Sequence, residues 1–362
     1  MKIPSEGRIV LVRLGALGDV VNTLPALTAL RRALPQAYIA WAVESPFAPL
    51  LQGHPMLNRV IVVPRRARGG NPVRRLADVV RALGIARREL AEEHFDVAID
   101  LHGNLRSGLA TYLSRAPVRI GYARGQCREW NHLFTNWRVS VAAVHRAERH
   151  LAVLRGAGVP VEGMPPPVVP EEPAAANRIE GFLSAVRSGD SPVIVVHPGT
   201  SQFGAYKQWP VERFATVVRN LCEQMRARVV VTWGPGERAM AEGAAGGVRG
   251  ATVAPETSLE ELAALVRRCD LFIGADSGPL HLASAVGTPV VALFGPKAPA
   301  RYGPVFSPRR IVEVPLECRP CRKRRCADPR CMHMVLPQMV FDAASELLRE
   351  TAAGRRRCWA SE

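Results

Sequence analysis

The sequence predicts an α/β protein made of two doubly wound, Rossmann-like domains in tandem. Three observations carry the prediction. Short apolar runs that read as buried strands alternate with amphipathic segments of helix length, and several runs end in glycine-containing polar turns. A proline-rich stretch over residues 158–173 interrupts the alternation, which then restarts. Alternating strands and helices imply parallel sheets with right-handed crossovers. At 362 residues the chain is long enough for two buried cores.

In chain order, Arg8–Val12 reads as a buried strand, Asp19–Leu34 as one amphipathic helix and Tyr38–Val43 as a second strand. Arg59–Val63, a helix from about Pro72 to Glu93, and Phe95–Asp100 continue the rhythm. The proline-rich stretch reads as a linker. Beyond it come the strand Pro192–Val196, a helix over Pro210–Arg226, the strand Ala227–Thr232 and a helix over Leu259–Arg268. Two further strands, Asp270–Gly274 and Val290–Phe294, bracket a helix. The expected boundaries are therefore 1–160 for the first domain, 161–175 for the linker, 176–335 for the second domain and 336–362 for a final helix and tail. Facing strand ends predict a ligand cleft between the domains.

A formal net charge of +16 favours anionic partners such as nucleic acid, phosphorylated substrates or an acidic lipid surface, without choosing among them. No apolar run reaches the roughly 18 residues of a membrane span. The segment Met1–Gly7 lacks the apolar stretch of a signal peptide, which predicts the cytoplasm.

The most informative stretch runs from Asp276 to Pro289, between two buried-strand runs. Ser277 is placed to cap the helix that follows, Pro279 suits its first turn, and Gly287 can close it with a left-handed residue. Free N–H groups at such a helix start can face an anion. A carboxylate such as Asp276 is a poor partner for phosphate but a good acceptor for sugar hydroxyls. Capping by Asp276 and Ser277 is the plain alternative.

Near the N-terminus, Gly15 and Gly18 allow a tight turn between strand and helix. Arg13 occupies the position where a dinucleotide fingerprint needs a third glycine, so that fingerprint is incomplete. Asp19 either stabilises its own helix N-terminus or serves as a general base for a hydroxyl nucleophile. In the second half, Thr200, Ser201 and Lys207 follow a strand and suit a diphosphate, and Glu237 can accept from ribose hydroxyls.

Five segments carry a family resemblance: RLGALGDVVNTLPAL at 13–27, LHGNLRSG at 101–108, HPGTSQFGAYKQWP at 197–210, WGPGE at 233–237 and DSGPLHLASAVGTPVVALFGP at 276–296. Together they resemble the lipopolysaccharide heptosyltransferases, glycosyltransferase family nine, over about residues 8–345. The resemblance implies a GT-B fold with nucleotide sugar held by the C-terminal domain and acceptor by the N-terminal one. It implies an inverting transfer of heptose from ADP-heptose to the Kdo or heptose of a lipopolysaccharide inner core on lipid A. Asp19 would be the base. Thr200, Ser201, Lys207, Glu237, Asp276, Ser277, Gly278 and His281 would bind the donor. Gly15, Gly18, His102, Asn104 and Arg106 would lie on the acceptor side, with His102 standing where a Gln is common in the family. Acceptor choice would reside in loops such as 65–75 and 122–140. Lys207 and helix-terminal N–H groups would meet the charge on the departing diphosphate, so neither a metal nor a cofactor is expected. The acceptor would be an anionic lipid at the inner face of the inner membrane, which the basic surface suits.

Four of the eight cysteines cluster as Cys318-x2-Cys321-x4-Cys326-x4-Cys331 among arginines. Four thiolates at this spacing could hold a structural zinc or, as a further alternative, an iron–sulfur cluster. A basic Cys-rich loop also offers a rival reading as a nucleic-acid-binding module. The absence of any aromatic residue between Cys318 and Cys331 argues against base stacking there. The cluster's late position in the chain predicts that it lies away from the strand ends that bind donor.

Overall fold

A computed structural model describes residues 3–65, 84, 87–321, 323 and 325–359, with the side chains of 202, 203 and 354–359 excepted. The chain divides between Pro170 and Glu171 into two compact units.

The first unit is built on six parallel strands: β1 Arg8–Val12, β2 Tyr38–Glu44, β3 Arg59–Val63, β4 Val97–Asp100, β5 Val118–Tyr122 and β6 Trp137–Val139, in the order β3-β2-β1-β4-β5-β6. β1 lies between β2 and β4, with Val10 opposite both Ala40 and Ala98. Its apolar run is buried almost throughout, as expected of a strand covered on both faces.

The predicted single helix over Asp19–Leu34 is two helices, Leu17–Val21 and Leu24–Ala33. Pro25 has no N–H to continue the ladder across the join. Side chains occupy the carbonyls at the break: Asn22 Nδ2 donates to Gly18 O at 2.7 Å and Thr23 Oγ1 to Asp19 O at 2.8 Å. Most of the helix expected over 72–93 lies outside the described residues, and residues 87–91 form its helical end. Part of the proline-rich stretch is tied to the first unit, because Pro166 O accepts from Thr28 Oγ1 and Val168 O contacts His54 Nε2.

The second unit repeats the plan. Its strands are β7 Val193–His197, β8 Arg228–Val231, β9 Ala251–Val253, β10 Leu271–Ala275, β11 Val290–Phe294 and β12 Arg309–Glu313, in the order β12-β11-β10-β7-β8-β9. In both sheets the order reverses beside the first strand, between β1 and β4 and between β7 and β10. That reversal is where open α/β sheets bind ligands, outside the carboxyl ends of the strands.

The second core is closed by the helices Val211–Met225 and Pro337–Trp359; the latter supplies Val340, Phe341, Ala344, Leu347 and Leu348. Trp209 is fully buried, donates through Nε1 to Val335 O at 3.1 Å and meets Phe214 edge-on with ring centroids 4.8 Å apart. Trp209→Ala should lower stability by about 3–5 kcal/mol through the cavity it leaves. Urea denaturation should show an earlier midpoint at unchanged slope. A loss below about 1 kcal/mol would mean that the surrounding side chains collapse into the space.

Candidate active site

In the first unit the turn after β1 carries the candidate base. A Cβ on Gly15 would run into the ring of Phe47, so this close approach requires glycine. Asp19 lies one turn further on and has cations on both carboxylate oxygens. Arg13 Nη2 is 2.6 Å from Oδ2, and Arg146 Nη1 donates to Oδ1 at 2.6 Å. Arg13 is 1% exposed and also donates to Leu101 O. Burial alone would raise the Asp19 carboxyl, but Arg13 and then Arg146 reverse this and hold it well below the usual carboxylate range. His102 and His150 also face this carboxylate; burial lowers both well below the usual imidazole value, so both are neutral near pH 7. His150 Nδ1 lies 2.9 Å from Thr23 Oγ1.

The adjacent turn after β4 is organised by Asp100, which is fully buried. Its Oδ1 accepts from the backbone of His102 at 2.8 Å and of Gly103 at 3.0 Å. Its Oδ2 accepts from Ser107 Oγ at 2.8 Å and Asn131 Nδ2 at 2.6 Å. Burial nonetheless leaves the Asp100 carboxyl above its usual value. Asn104 caps the helix Leu105–Leu113 reciprocally with Ser107, and its Nδ2 sits 3.1 Å from His102 Nε2. His102 Nδ1 is buried with no protein partner. Arg106 pairs with Glu44 at 2.5 Å, and Arg65 lies 3.5 Å from the same carboxylate.

In the second unit, Asp276 follows β10 and Lys207 ends the 3-10 helix Gln202–Lys207. Lys207 Nζ donates to Asp276 O and, at 3.0 Å, to Asp276 Oδ2; His281 Nε2 lies 3.6 Å from Oδ1. Burial opposes the charge on Asp276, but His281 and Lys207 together keep its carboxyl below the usual range. Ser277 Oγ, Thr200 Oγ1 and His281 Nδ1 are buried without a protein hydrogen-bond partner. Buried polar atoms are rarely orphaned, so three beside one strand-end turn constitute a polar cradle. Glu237 links two loops by accepting from Ser201 N at 2.8 Å and Gly234 N at 3.0 Å. A Cβ on Gly199 would collide with that carboxylate.

Comparison with known proteins gives the family. The model of glycosyltransferase family 9 (heptosyltransferase) matches residues 84–331. The chain belongs to glycosyltransferase family 9. Lipopolysaccharide heptosyltransferase 1 of Pseudomonas aeruginosa is 31% identical over 326 residues, covering 88% of this chain and 87% of that protein. A family 9 glycosyl transferase from Veillonella parvula superimposes with a TM-score of 0.79 at 25% identity, covering 95% of this chain and 97% of the other. The E. coli heptosyltransferase WaaC with ADP-2-deoxy-2-fluoro heptose shares the fold, with a TM-score of 0.69 at 24% identity over 94% of this chain and 99% of that one. This chain is therefore a glycosyltransferase of the GT-B class.

The transferase brings Lys207, Asp276, Ser277, Gly278 and His281 to one strand-end turn, while Thr200, Ser201 and Glu237 form the neighbouring loops. Pro279 lies in the first turn of the helix Gly278–Ala285 and Gly287 is left-handed beyond its end, as expected. Side-chain capping does not occur. Ser277 occupies the N-cap, but its hydroxyl makes no cap bond, and Asp276 turns instead to Lys207 and His281. Asp19 likewise binds arginines rather than only its own helix start. Asn104 acts as a helix cap.

The Cys-rich loop lies against the turn after β11. Cys321 N donates to Pro296 O at 2.7 Å, Lys297 Nζ reaches Cys321 O, and Cys331 Sγ lies 3.4 Å from where a Cβ on Gly295 would stand. The loop therefore packs on the carboxyl end of β11 despite its late position in the chain. Among the described residues no group of His, Cys, Asp or Glu is placed to hold a metal ion, and the four thiols are free.

Sequence reasoning missed Arg13 and Arg146 as partners of Asp19, and Asp100 and Asn131 as the frame of the His102 turn. Arg13 had a signal, since a cation directly after the buried run Ile9–Val12 needs a counter-charge. Arg146 lies 127 residues from Asp19 and had none. Of the acceptor loops, 66–75 lies outside the described residues, whereas 122–140 presents Trp130 at 74% exposure and Leu133 at 69%. Among the described residues no helix is long and apolar enough to cross a membrane.

Proposed function

We propose that this family 9 transferase moves a heptose from ADP-heptose to the lipopolysaccharide inner core, on a Kdo or heptose of a lipid A-linked acceptor, with inversion at the anomeric carbon. The observation that carries the reading is the cradle of Lys207, Asp276 and His281 with the orphaned Ser277 and Thr200 hydroxyls, at the ligand-binding reversal of the second sheet. The names borne by its relatives, lipopolysaccharide heptosyltransferase 1 and WaaC with an ADP-heptose analogue, support the same donor and acceptor.

Asp19 takes the proton of the acceptor hydroxyl as the new bond to the anomeric carbon forms. The bond from that carbon to the diphosphate breaks, and ADP leaves with the electron pair. Lys207 and the first N–H groups of the helix Gly278–Ala285 meet the charge that develops on the diphosphate. Asp276 accepts from sugar hydroxyls and Glu237 from the ribose, through lone pairs left beside their present bonds. His102 and Arg106 face the acceptor. The acceptor's anionic groups suit a chain of net charge +16, and the protein would work peripherally at the inner face of the inner membrane.

The test is to mix the protein with ADP-heptose and a panel of truncated core lipids, with EDTA present, and to weigh the products. A product heavier by one heptose on at least one inner-core acceptor is expected, because Lys207 supplies the charge that a divalent metal would otherwise supply. Transfer only from another nucleotide sugar would replace the donor assignment. Activity lost in EDTA and restored by magnesium at an unchanged melting temperature would replace the role given to Lys207.

A further inference from the structure

We propose that Arg146 is a positioning residue for the transfer, holding the Asp19 carboxylate so that the second lone pair of Oδ1 faces the acceptor hydroxyl. The inference rests on the reading of Asp19 as the base. The two arginines on Asp19 are not equivalent. Arg13 comes from the end of β1, is 1% exposed, donates to Leu101 O at 2.6 Å and has its own carbonyl held by Trp41 Nε1 at 3.2 Å. It is sealed from solvent and occupies Oδ2. Arg146 is the first residue of the helix Arg146–Gly156; its side chain is 21% exposed and it occupies Oδ1 at 2.6 Å. The Asp19 side chain is 27% exposed, and of its two cations only Arg146 shares that exposure, so the open side of the carboxylate is the side that Arg146 orients. A carboxylate oxygen has two acceptor sites, so guanidinium and hydroxyl can share Oδ1.

This arrangement also explains how so weak a base serves. A hydroxyl becomes acidic as its oxygen bonds to the anomeric carbon, so the proton moves late, to Oδ1. A carboxyl held low by two guanidiniums then passes that proton to water at once, which restores the base for the next turnover. The groups around Asp19 leave the assignment clean. Arg13 stands on the β1 side, Arg146 and His150 on the helix Arg146–Gly156, and His102 after β4; behind Arg13 lie Asp100 and Tyr122. His102 and His150 are pushed well below the usual imidazole value by burial, and Tyr122 is pushed up to about 12, so none of the three changes charge near neutral pH.

The experiment measures kcat and the KM for donor at pH 8 for the parent protein, Arg146→Gln, Arg146→Lys, Asp19→Asn and the double variant Asp19→Asn/Arg146→Gln, with melting temperatures alongside. Arg146→Gln removes the guanidinium that holds Oδ1. Its kcat at pH 8 should fall about 10-fold or more with the KM for donor unchanged. Arg146→Lys keeps the charge and should turn over at an intermediate rate. The double variant should be no slower than Asp19→Asn, because Arg146 acts only through that carboxylate. Parental kcat in Arg146→Gln would overturn the proposal, as would a double variant slowed by the full factor of each change. Near-parental turnover by Asp19→Asn alone would remove the base reading itself, and is distinguished by needing no change at Arg146.

Discussion

Asp19→Asn should lower kcat by about 100-fold or more while the affinity for ADP-heptose stays within about twofold of the parent's. The amide keeps the shape of the carboxylate and can still accept from Arg146, but it cannot take a proton from the acceptor hydroxyl. Donor affinity is spared because the groups assigned to the donor lie on the turns after β7, β8 and β10, in the other unit. Stability should fall as well, since Arg13 is sealed and would lose its counter-charge. Turnover is therefore compared per folded protein, with the folded fraction read from thermal melts. The direction of the pH effect follows from the lowered carboxyl of the parent: Asp19 stays ionised far below neutral pH, so its contribution to both rate and stability is lost only as the solution becomes strongly acidic. Near-normal turnover in folded Asp19→Asn would reduce Asp19 to a counter-ion for Arg13 and Arg146.

Lys207→Ala should weaken ADP and ADP-heptose alike, by roughly 10- to 100-fold, the scale of one hydrogen bond to a charged group. Asp276→Ala should spare ADP and weaken the intact nucleotide sugar by a similar factor. The two residues touch each other, with Nζ 3.0 Å from Oδ2, so their single effects should not add; the double variant should lose less than the product of the two factors. The split in ligand preference decides the roles, because the Lys207 cation gains most from the anionic diphosphate and a carboxylate repels it. Calorimetric titration with both ligands reads it directly. Equal losses for both ligands in both variants would show that neither residue separates sugar from diphosphate.

Much of the fold was legible in local pattern. Buried parallel strands must be apolar on both faces, so β1, β2, β7, β10 and β11 stand out as continuous runs. The strands that escaped notice, β5, β6, β9 and β12, are short or carry exposed positions, and three of them, β6, β9 and β12, are sheet edges, where one-sided contact leaves no continuous run. The break at Asn22–Thr23 was written in Pro25, but whether a proline kinks or ends a helix depends on what donates to the carbonyls at the break. Here Asn22 and Thr23 do so.

Chemistry divides along the same line. The sequence by itself determined which strand-end turns carry carboxylates, hydroxyls and a lysine, because backbone turns and helix starts demand local residue types at local spacing. Only the tertiary structure decided what those groups do to one another. It set Arg146 on Asp19 across 127 residues, turned Asp276 from a helix cap into the partner of Lys207 and His281, left the Ser277 hydroxyl without a partner, and packed the Cys-rich loop on the end of β11. The physical reason is that charge, burial and hydrogen-bond satisfaction depend on distance in space, and a doubly wound sheet brings the ends of β1 and β4, or of β7 and β10, side by side whatever length of chain separates them.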